Sequence, residues 1–204
     1  MMDEKELSLL RASVRERVGE RRFSHILGVE RLAVKLGRAL IPDRVNELRC
    51  AAILHDVSKR IPKDEQIKLL DSAGFELTDE DIETDGVLHS FSGPIVIKRD
   101  FPKLAIPDVL RAVENHTVGR AGMTVFEKII FVSDYAEDTR EYSSCIAVRE
   151  KLLSGFDALS NEEKLKRLDE ACIGAIDGAI EALYRMGKPI NSRIFATKNY
   201  LLKK

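Results

Sequence analysis

Apolar residues recur at helical spacing along most of this chain, and no segment shows the apolar–polar alternation of a half-buried strand. Amphipathic segments of this kind cover 3–18, 23–40, 45–61, 63–73, 107–116, 124–140 and 161–186. The acidic stretch 75–86 is expected to hold a surface connection and a short helix, and a further segment begins at His89. The pattern predicts an all-α fold in which residues 1–204 form a single domain, a helical bundle of about eight helices.

Residues that commonly begin or end helices mark the boundaries of two long segments. Thr124 and Glu127 have the spacing of a capping box, which predicts that a helix begins there and continues to Arg140. The Gly-Lys-Pro run at 187–189 is expected to stop the last long helix. The residues after this run are therefore predicted to form a polar loop.

The balance of charges limits the classes of partner. Lys and Arg total 33 against 34 Asp and Glu, a formal net charge of -1. Sequence-independent binding to nucleic acid needs a basic surface, so no nucleic-acid partner is expected, whereas a small anionic substrate remains compatible. The apolar runs are too short to cross a bilayer, and the three cysteines form no CxxC pair. Together with a polar N-terminus, these features favour a reduced, cytoplasmic protein without membrane contact, and a homodimer is compatible with them.

The positions of the histidines and of two aspartates carry the most chemical information. They are His25, His55, Asp56, His89, His116 and Asp134. Each histidine lies on a different predicted helix, and at least three continue an apolar stripe, so they should point inward. A single inward histidine is usually an ordinary hydrogen-bonded core residue, and a single helical aspartate is usually solvated. Buried carboxylates need partners, however, and a metal would serve both carboxylates and imidazoles, so the joint pattern predicts one metal centre.

The order His25, His55-Asp56, Asp134 resembles the metal-binding signature of HD-domain phosphohydrolases, and the additional His89 and His116 resemble its two-metal version. The phrases LHDVSK (54–59), LHS (88–90), ENHTVG (114–119) and KIIFVSDYAEDTR (128–140) are similar to those of the YqeK-type bacterial hydrolases. Small departures are Val57-Ser58, where that family commonly has Tyr-Ala, and Ser90, where Gly is frequent.

This resemblance implies a fold, an activity and a set of cofactors. The fold would be a single HD domain, with its motifs in a core of about 22–140 and C-terminal helices that complete the bundle. The activity would be the symmetrical cleavage of diadenosine tetraphosphate into two ADP. The cofactors would be two divalent metal ions, with iron favoured and manganese or cobalt as alternatives.

The resemblance also implies roles for individual residues. His25, His55, Asp56 and Asp134 would hold one metal, and Asp56 would bridge to a second metal held by His89 and His116. Asp56 and Lys59 would be catalytic. Nucleotide or phosphate contacts would come from His25, Lys59, His89, His116, Thr117, Asp134 and Arg140, and from Asn191, Ser192, Arg193 and Asn199 in the C-terminal loop.

Three of these polar assignments also have a purely structural interpretation. Lys59 lies one helical turn after His55 in the predicted helix, but an isolated lysine is commonly solvated. Arg140 has Glu137 three residues before it, which is the spacing of an ordinary surface pair. Thr117 could simply end a helix.

Other functions are also compatible with such a chain. One is an HD nucleotidase acting on nucleoside mono- or triphosphates, and another is a cyclic-dinucleotide phosphodiesterase, which usually has a Gly-Tyr-Pro signature absent here. A third is a non-catalytic, nucleotide-sensing HD protein, but such proteins often lose metal ligands, and all six are present. A helical interaction module with incidental histidines would leave Asp56 and Asp134 unexplained.

Overall fold

The computed structural model describes residues 2–84 and 86–203, and these contain eleven α-helices and no strand. The helices are α1 (Glu4–Val18), α2 (Glu20–Leu40), α3 (Val45–Leu54), α4 (Lys63–Ser72), α5 (Asp79–Glu83), α6 (Leu88–Asp100), α7 (Pro107–Asn115), α8 (Val125–Ala136), α9 (Ser143–Leu153), α10 (Asn161–Arg185) and α11 (Arg193–Leu202). Short 3₁₀ segments occupy Pro42–Arg44, Pro102–Leu104 and Phe156–Ala158. The predicted all-α class is confirmed, and the predicted number of about eight helices is wrong.

Two helices that the sequence pattern did not predict account for most of the difference. Helix α9 fully buries only Cys145 and Leu152, so it lacks a wide apolar stripe. Helix α11 begins without a side-chain hydrogen bond at its N-cap, so the usual start signal is missing. The predicted polar loop is therefore wrong for residues 193–202, which form a helix that buries Ile194, Thr197 and Leu201.

Two other helices end earlier than predicted. Helix α8 stops at Ala136 because Glu137 is extended, with ψ 161°, and its side chain accepts from the Thr139 N–H at 2.6 Å. Arg140 therefore lies in the following turn rather than in the helix. Helix α3 stops at Leu54, and tight turns rather than helix fill 55–60.

The core consists of two apolar clusters that share helices. The larger cluster includes Val29 of α2 and Ala52 of α3, and the smaller one includes Ile26 of α2 and Ile53 of α3. Each fully buried aliphatic side chain stabilises the fold by roughly 1.5–3 kcal/mol. Because α2, α3, α6 and α7 contribute to both clusters, packing fixes these helices on more than one side. No helix in the described ranges is long and apolar enough to cross a membrane.

The C-terminal segment is bound to α5 by a cluster that we call the C-terminal latch: Asp81, Asn191 and Arg193. Asp81 is fully buried and accepts from Asn191 Nδ2 at 2.9 Å and from Arg193 Nη2 at 2.9 Å. Burial alone would raise the pKa of the Asp81 carboxyl, but hydrogen bonds from Arg193 and Asn191 outweigh burial and lower the pKa to about 2. The latch therefore depends on the ionised carboxylate.

We expect Asp81→Asn to lower the free energy of unfolding at neutral pH by about 1–2 kcal/mol, a value discounted for solvent screening at Arg193. The folded-state pKa lies below the unfolded value of about 3.9, so the stabilisation is complete above about pH 4 and is lost towards about pH 2. The difference between variant and wild type should therefore shrink on acidification, as measured by urea unfolding. Asp79→Asn, an exposed position in the same helix, is the matched control. A difference independent of pH would contradict the role of the charge.

Candidate metal centre

The six side chains predicted as metal ligands lie together at one place in the fold. Their elements are α2 for His25, the end of α3 for His55 and Asp56, α6 for His89, the end of α7 for His116, and α8 for Asp134. The imidazoles are at most 8% exposed, and Asp56 is 2% exposed. All six are carried by helices, or by the residues directly after helices, that the core holds firmly.

Asp56 lies between two pairs of imidazoles. Its Oδ2 atom is 3.3 Å from His55 Nε2 and 3.9 Å from His25 Nε2. Its Oδ1 atom is 3.1 Å from His89 Nε2 and 3.9 Å from His116 Nε2. The two oxygens of one carboxylate therefore face different histidines, as a bridging ligand requires.

Asp134 closes one side of the centre. Its Oδ1 atom is 2.9 Å from His25 Nε2 and 3.7 Å from His55 Nε2. Burial opposes ionisation of both aspartates, but the imidazoles around them outweigh burial and hold the pKa of Asp56 and of Asp134 well below its usual value. The centre thus contains two carboxylates that attract cations.

Helix ends orient two of the histidines. His55 Nδ1 is 2.7 Å from the Ala52 carbonyl oxygen, and His116 Nδ1 is 2.6 Å from the Val113 carbonyl oxygen. These carbonyls belong to the last turns of α3 and α7, where carbonyls have no partner within the helix. Since Nδ1–H donates to the carbonyl, Nε2 keeps its lone pair and faces the carboxylates.

A buried glutamate that the sequence analysis treated as a surface residue orients His25. Glu137 is fully buried, and its Oε1 atom is 3.1 Å from His25 Nδ1. The Thr139 backbone N–H and hydroxyl donate to Glu137 at 2.6 and 2.7 Å, which fixes the carboxylate. Gly28 provides the space, since a Cβ atom there would overlap the Glu137 carboxylate. The available sequence signal for this contact was the glycine one turn after His25. A glycine there predicts the contact only when the packing of Glu137 against it is known.

The charges around His25 favour a cation at this end of the centre. Burial lowers its pKa, but contacts with Asp134 and Glu137 outweigh burial and raise the pKa to about 9. For Glu137 itself, burial raises the pKa, whereas the bonds from His25 and Thr139 hold it below its usual value.

The donor set fits divalent metals. His25 Nε2 and His55 Nε2 are buried and face the carboxylates of Asp134 and Asp56, at 2.9 and 3.3 Å. Ligand atoms of His25, His55 and Asp134 lie within 4.8 Å of one another, and so do those of His55, Asp56 and His116. Imidazole and carboxylate ligands suit iron, manganese, cobalt and zinc. Buried imidazole nitrogens that converge with ionised carboxylates form a donor set that a bound cation would satisfy.

Three cationic side chains within residues 2–84 and 86–203 border the centre. Lys59 Nζ is 3.2 and 3.3 Å from the two ring nitrogens of His89. Lys59 lies in a tight turn, so the prediction that it continues the helix of His55 is wrong. Arg140 Nη2 donates to Asp134 at 3.2 Å. Arg22 Nη1 donates to Asp56 at 3.0 Å, and the sequence analysis missed it. Its position one turn before His25 was the available signal.

The remaining predicted contacts are less direct. Thr117 follows His116, and its hydroxyl is buried without a partner in the described structure. Asn191 and Arg193 belong to the C-terminal latch, in which they bind Asp81 of α5. The Ser192 hydroxyl donates to Glu80, also in α5, at 2.7 Å. Asn199 is exposed in α11. The structure thus places three of these residues against α5.

The described residues line two openings that reach the centre. A groove of about 1080 Å³ is lined by the α1–α2 junction, by Arg60 and by residues of the segment 137–142, and includes His25. A smaller pocket of about 210 Å³ is lined by Lys59 and His89, among others. The openings therefore meet histidines on the two different sides of Asp56.

Comparison with known proteins identifies the family. The model of the HD domain matches residues 22–162, which include all six clustered residues. The chain therefore belongs to the HD-domain family and is a phosphohydrolase of the metal-dependent HD type.

Relatives match nearly the whole chain. The symmetrical bis(5'-nucleosyl)-tetraphosphatase of Bacillus subtilis is 31% identical over 193 residues, which cover 94% of this chain and 95% of that protein. The protein of the same name from Halalkalibacterium halodurans is 30% identical and covers 93% of each chain. A crystal structure of a predicted HD superfamily hydrolase involved in NAD metabolism, from Clostridium acetobutylicum, is 29% identical with a TM-score of 0.81, covering 100% of this chain and 98% of that one.

We expect Glu137→Gln to weaken metal binding about 10- to 100-fold without unfolding the protein. Both carboxylate oxygens accept hydrogen bonds, whereas an amide has one acceptor, so the variant must turn an NH₂ group towards His25 or Thr139. Titration of the metal-free protein with iron(II) or manganese(II) measures the affinity. Glu141→Gln, an exposed position in the same segment, is the control. Wild-type affinity in Glu137→Gln would show that Glu137 does not orient His25.

Proposed function

We propose that this chain cleaves dinucleoside tetraphosphates symmetrically, diadenosine tetraphosphate in particular, and releases two nucleoside diphosphates. The observation that carries the proposal is the position of Asp56, whose two oxygens face His25 and His55 on one side and His89 and His116 on the other. Relatives with this activity in their names match over 93% or more of the chain.

Two divalent metals, with iron favoured, would be held by the six residues. His25, His55, Asp56 and Asp134 would hold one ion, and Asp56, His89 and His116 the other. Metals bound there would act as Lewis acids, lowering the pKa of water and offsetting the charge on phosphoryl oxygens. His55 is close to both groups, since it also lies within 4.8 Å of Asp56 and His116 ligand atoms.

The protein's own cations would position the polyphosphate. Lys59 borders His89 on one side of the centre, and Arg140 borders Asp134 on the other. The Arg140 side chain is 32% exposed and donates to Asp134 through Nη2, so the exposed part of its guanidinium has donor capacity left for a phosphate oxygen. Arg22, next to Asp56, adds a third positive charge. Cations on both sides suit a substrate whose negative charge extends in both directions from the cleaved bond.

The products distinguish this function from the alternatives. Anaerobic incubation with iron(II) and diadenosine tetraphosphate should yield two ADP, measured by chromatography. Asp56→Asn should lower turnover on the order of 100-fold or more, because it removes the ligand shared by both metals. Asp177→Asn, an exposed aspartate of α10, is the control. ATP plus AMP as products, or hydrolysis of mononucleotides alone, would contradict the proposal.

We expect Lys59→Ala and Arg140→Ala each to lower kcat/KM about 10- to 150-fold while metal content stays normal, since a charge-assisted hydrogen bond contributes roughly 1.5–3 kcal/mol. Metal analysis beside steady-state kinetics separates phosphate binding from metal binding. Lys68→Ala, an exposed lysine of α4, is the control. Wild-type kinetics in both variants would refute their contact with phosphate.

A further inference from the structure

The larger opening, which we call the arginine groove, is defined by Arg21, Arg22, Arg60, Arg140 and Tyr142, which line it together with His25. His25 and Arg140 also contact Asp134, so the inner end of the groove reaches the metal centre. Its volume of about 1080 Å³ is at the upper end of the range for small-molecule sites, and a nucleoside diphosphate fits within it.

Two of the arginines are exposed, and their side chains have no partner in the described part of the chain. The side chains of Arg21 and Arg60 make no hydrogen bond or ion pair with any residue in 2–84 or 86–203. Arg60 lies against Gly19, where φ is +76° and a Cβ atom would be 2.7 Å from Arg60 Nη1. The glycine therefore leaves room for the guanidinium at the wall of the groove. Two free guanidinium groups are suited to bind phosphate oxygens.

The acidic residues of the groove are largely neutralised. Glu20 accepts from Arg15 at 2.6 Å, and Glu137 is bound by His25 and Thr139. Glu141 is exposed and has no ion pair with a described residue. Arg22 and Arg140 are paired with Asp56 and Asp134. The two unpaired arginines, Arg21 and Arg60, thus face one unpaired carboxylate, so the groove attracts anions.

An aromatic side chain stands at the rim. Tyr142 is 72% exposed, although its ring is large and mostly apolar. Exposed aromatic rings beside basic residues are typical platforms for stacking nucleobases. The groove therefore combines a phosphate-binding wall with a surface for a base.

The second opening lies on the other side of Asp56 from the arginine groove. The smaller pocket meets His89, which lies beside Asp56 Oδ1, whereas the groove meets His25, which lies on the Oδ2 side. A substrate cleaved at its centre has two equal halves that leave the reacting phosphates in different directions. Two openings on either side of one carboxylate provide these two directions.

We infer that the arginine groove binds one nucleoside-diphosphate half of the substrate, with Arg21 and Arg60 on its phosphates and Tyr142 stacked on its base, while the other half extends past His89. This inference rests on the proposed function for its biological meaning. Nucleotide binding in the groove can nevertheless be measured without any cleavage.

The test is a calorimetric titration of the metal-loaded protein with ADP, which is the product and is not consumed. The wild type should bind two ADP per chain. Arg60→Ala and Tyr142→Ala should each weaken one of the two sites about tenfold or more, and Tyr142→Phe should retain it because its ring still stacks. Arg38→Ala, on the same helix as Arg21, and Tyr184→Ala, with 79% exposure, are the matched controls. Metal content should be equal in all variants.

The outcomes separate the inference from the proposed function. A single ADP site, or two sites unchanged by Arg60→Ala and Tyr142→Ala, would overturn the groove assignment even if diadenosine tetraphosphate is cleaved into two ADP. Loss of one ADP site in these variants alone would support the assignment even if the cleavage products differ from those proposed.

Discussion

The buried carboxylate of Asp56 is the constraint on which the rest of this structure depends. Removing an ionised group from water costs several kcal/mol, and Asp56 is only 2% exposed. Its partners are imidazoles on both sides and the guanidinium of Arg22. Arg22 and His25 come from α2, His89 from α6 and His116 from the end of α7, so these helices must pack in one arrangement for the charge to be offset. The same arrangement directs His25 Nε2 at Asp134 and His55 Nε2 at Asp56.

The ends of two helices make this arrangement possible. His55 and His116 are the first residues after α3 and α7, where open carbonyls accept from their Nδ1 atoms. A helix C-terminus also carries a partial negative charge of roughly half an electron, which favours a cation nearby. Both helix ends thus orient an imidazole and add to the attraction for positive charge. Burial meanwhile lowers the pKa of His116 to about 3, so this imidazole is neutral and available as a ligand.

The sequence was sufficient to predict which side chains point inward where this direction depends on helical periodicity. His25 and Asp134 belong to apolar stripes, so their inward direction followed from spacing. Glu137 could not be predicted in this way, because its burial depends on Gly28 of another helix and on the early end of α8. Lys59 reaches the centre for a reason other than the predicted one. Its backbone N–H bonds to the Asp56 carbonyl at 2.9 Å, so a tight turn rather than a helix brings it back.

The C-terminal segment contributes little net positive charge that could attract an anionic substrate. Arg193 lies 5.3 Å above the Phe91 ring and donates to Asp81, whose pKa of about 2 keeps it ionised. An arginine whose charge is already matched adds little net attraction for a phosphate. Under the proposed function, the charge of a polyphosphate would therefore be offset by cations whose partners are the predicted metal ligands or water. In the described structure those are Lys59, Arg22 and Arg140 at the centre and the free arginines of the groove, so the C-terminal segment would shape the site while the groove supplies its charge.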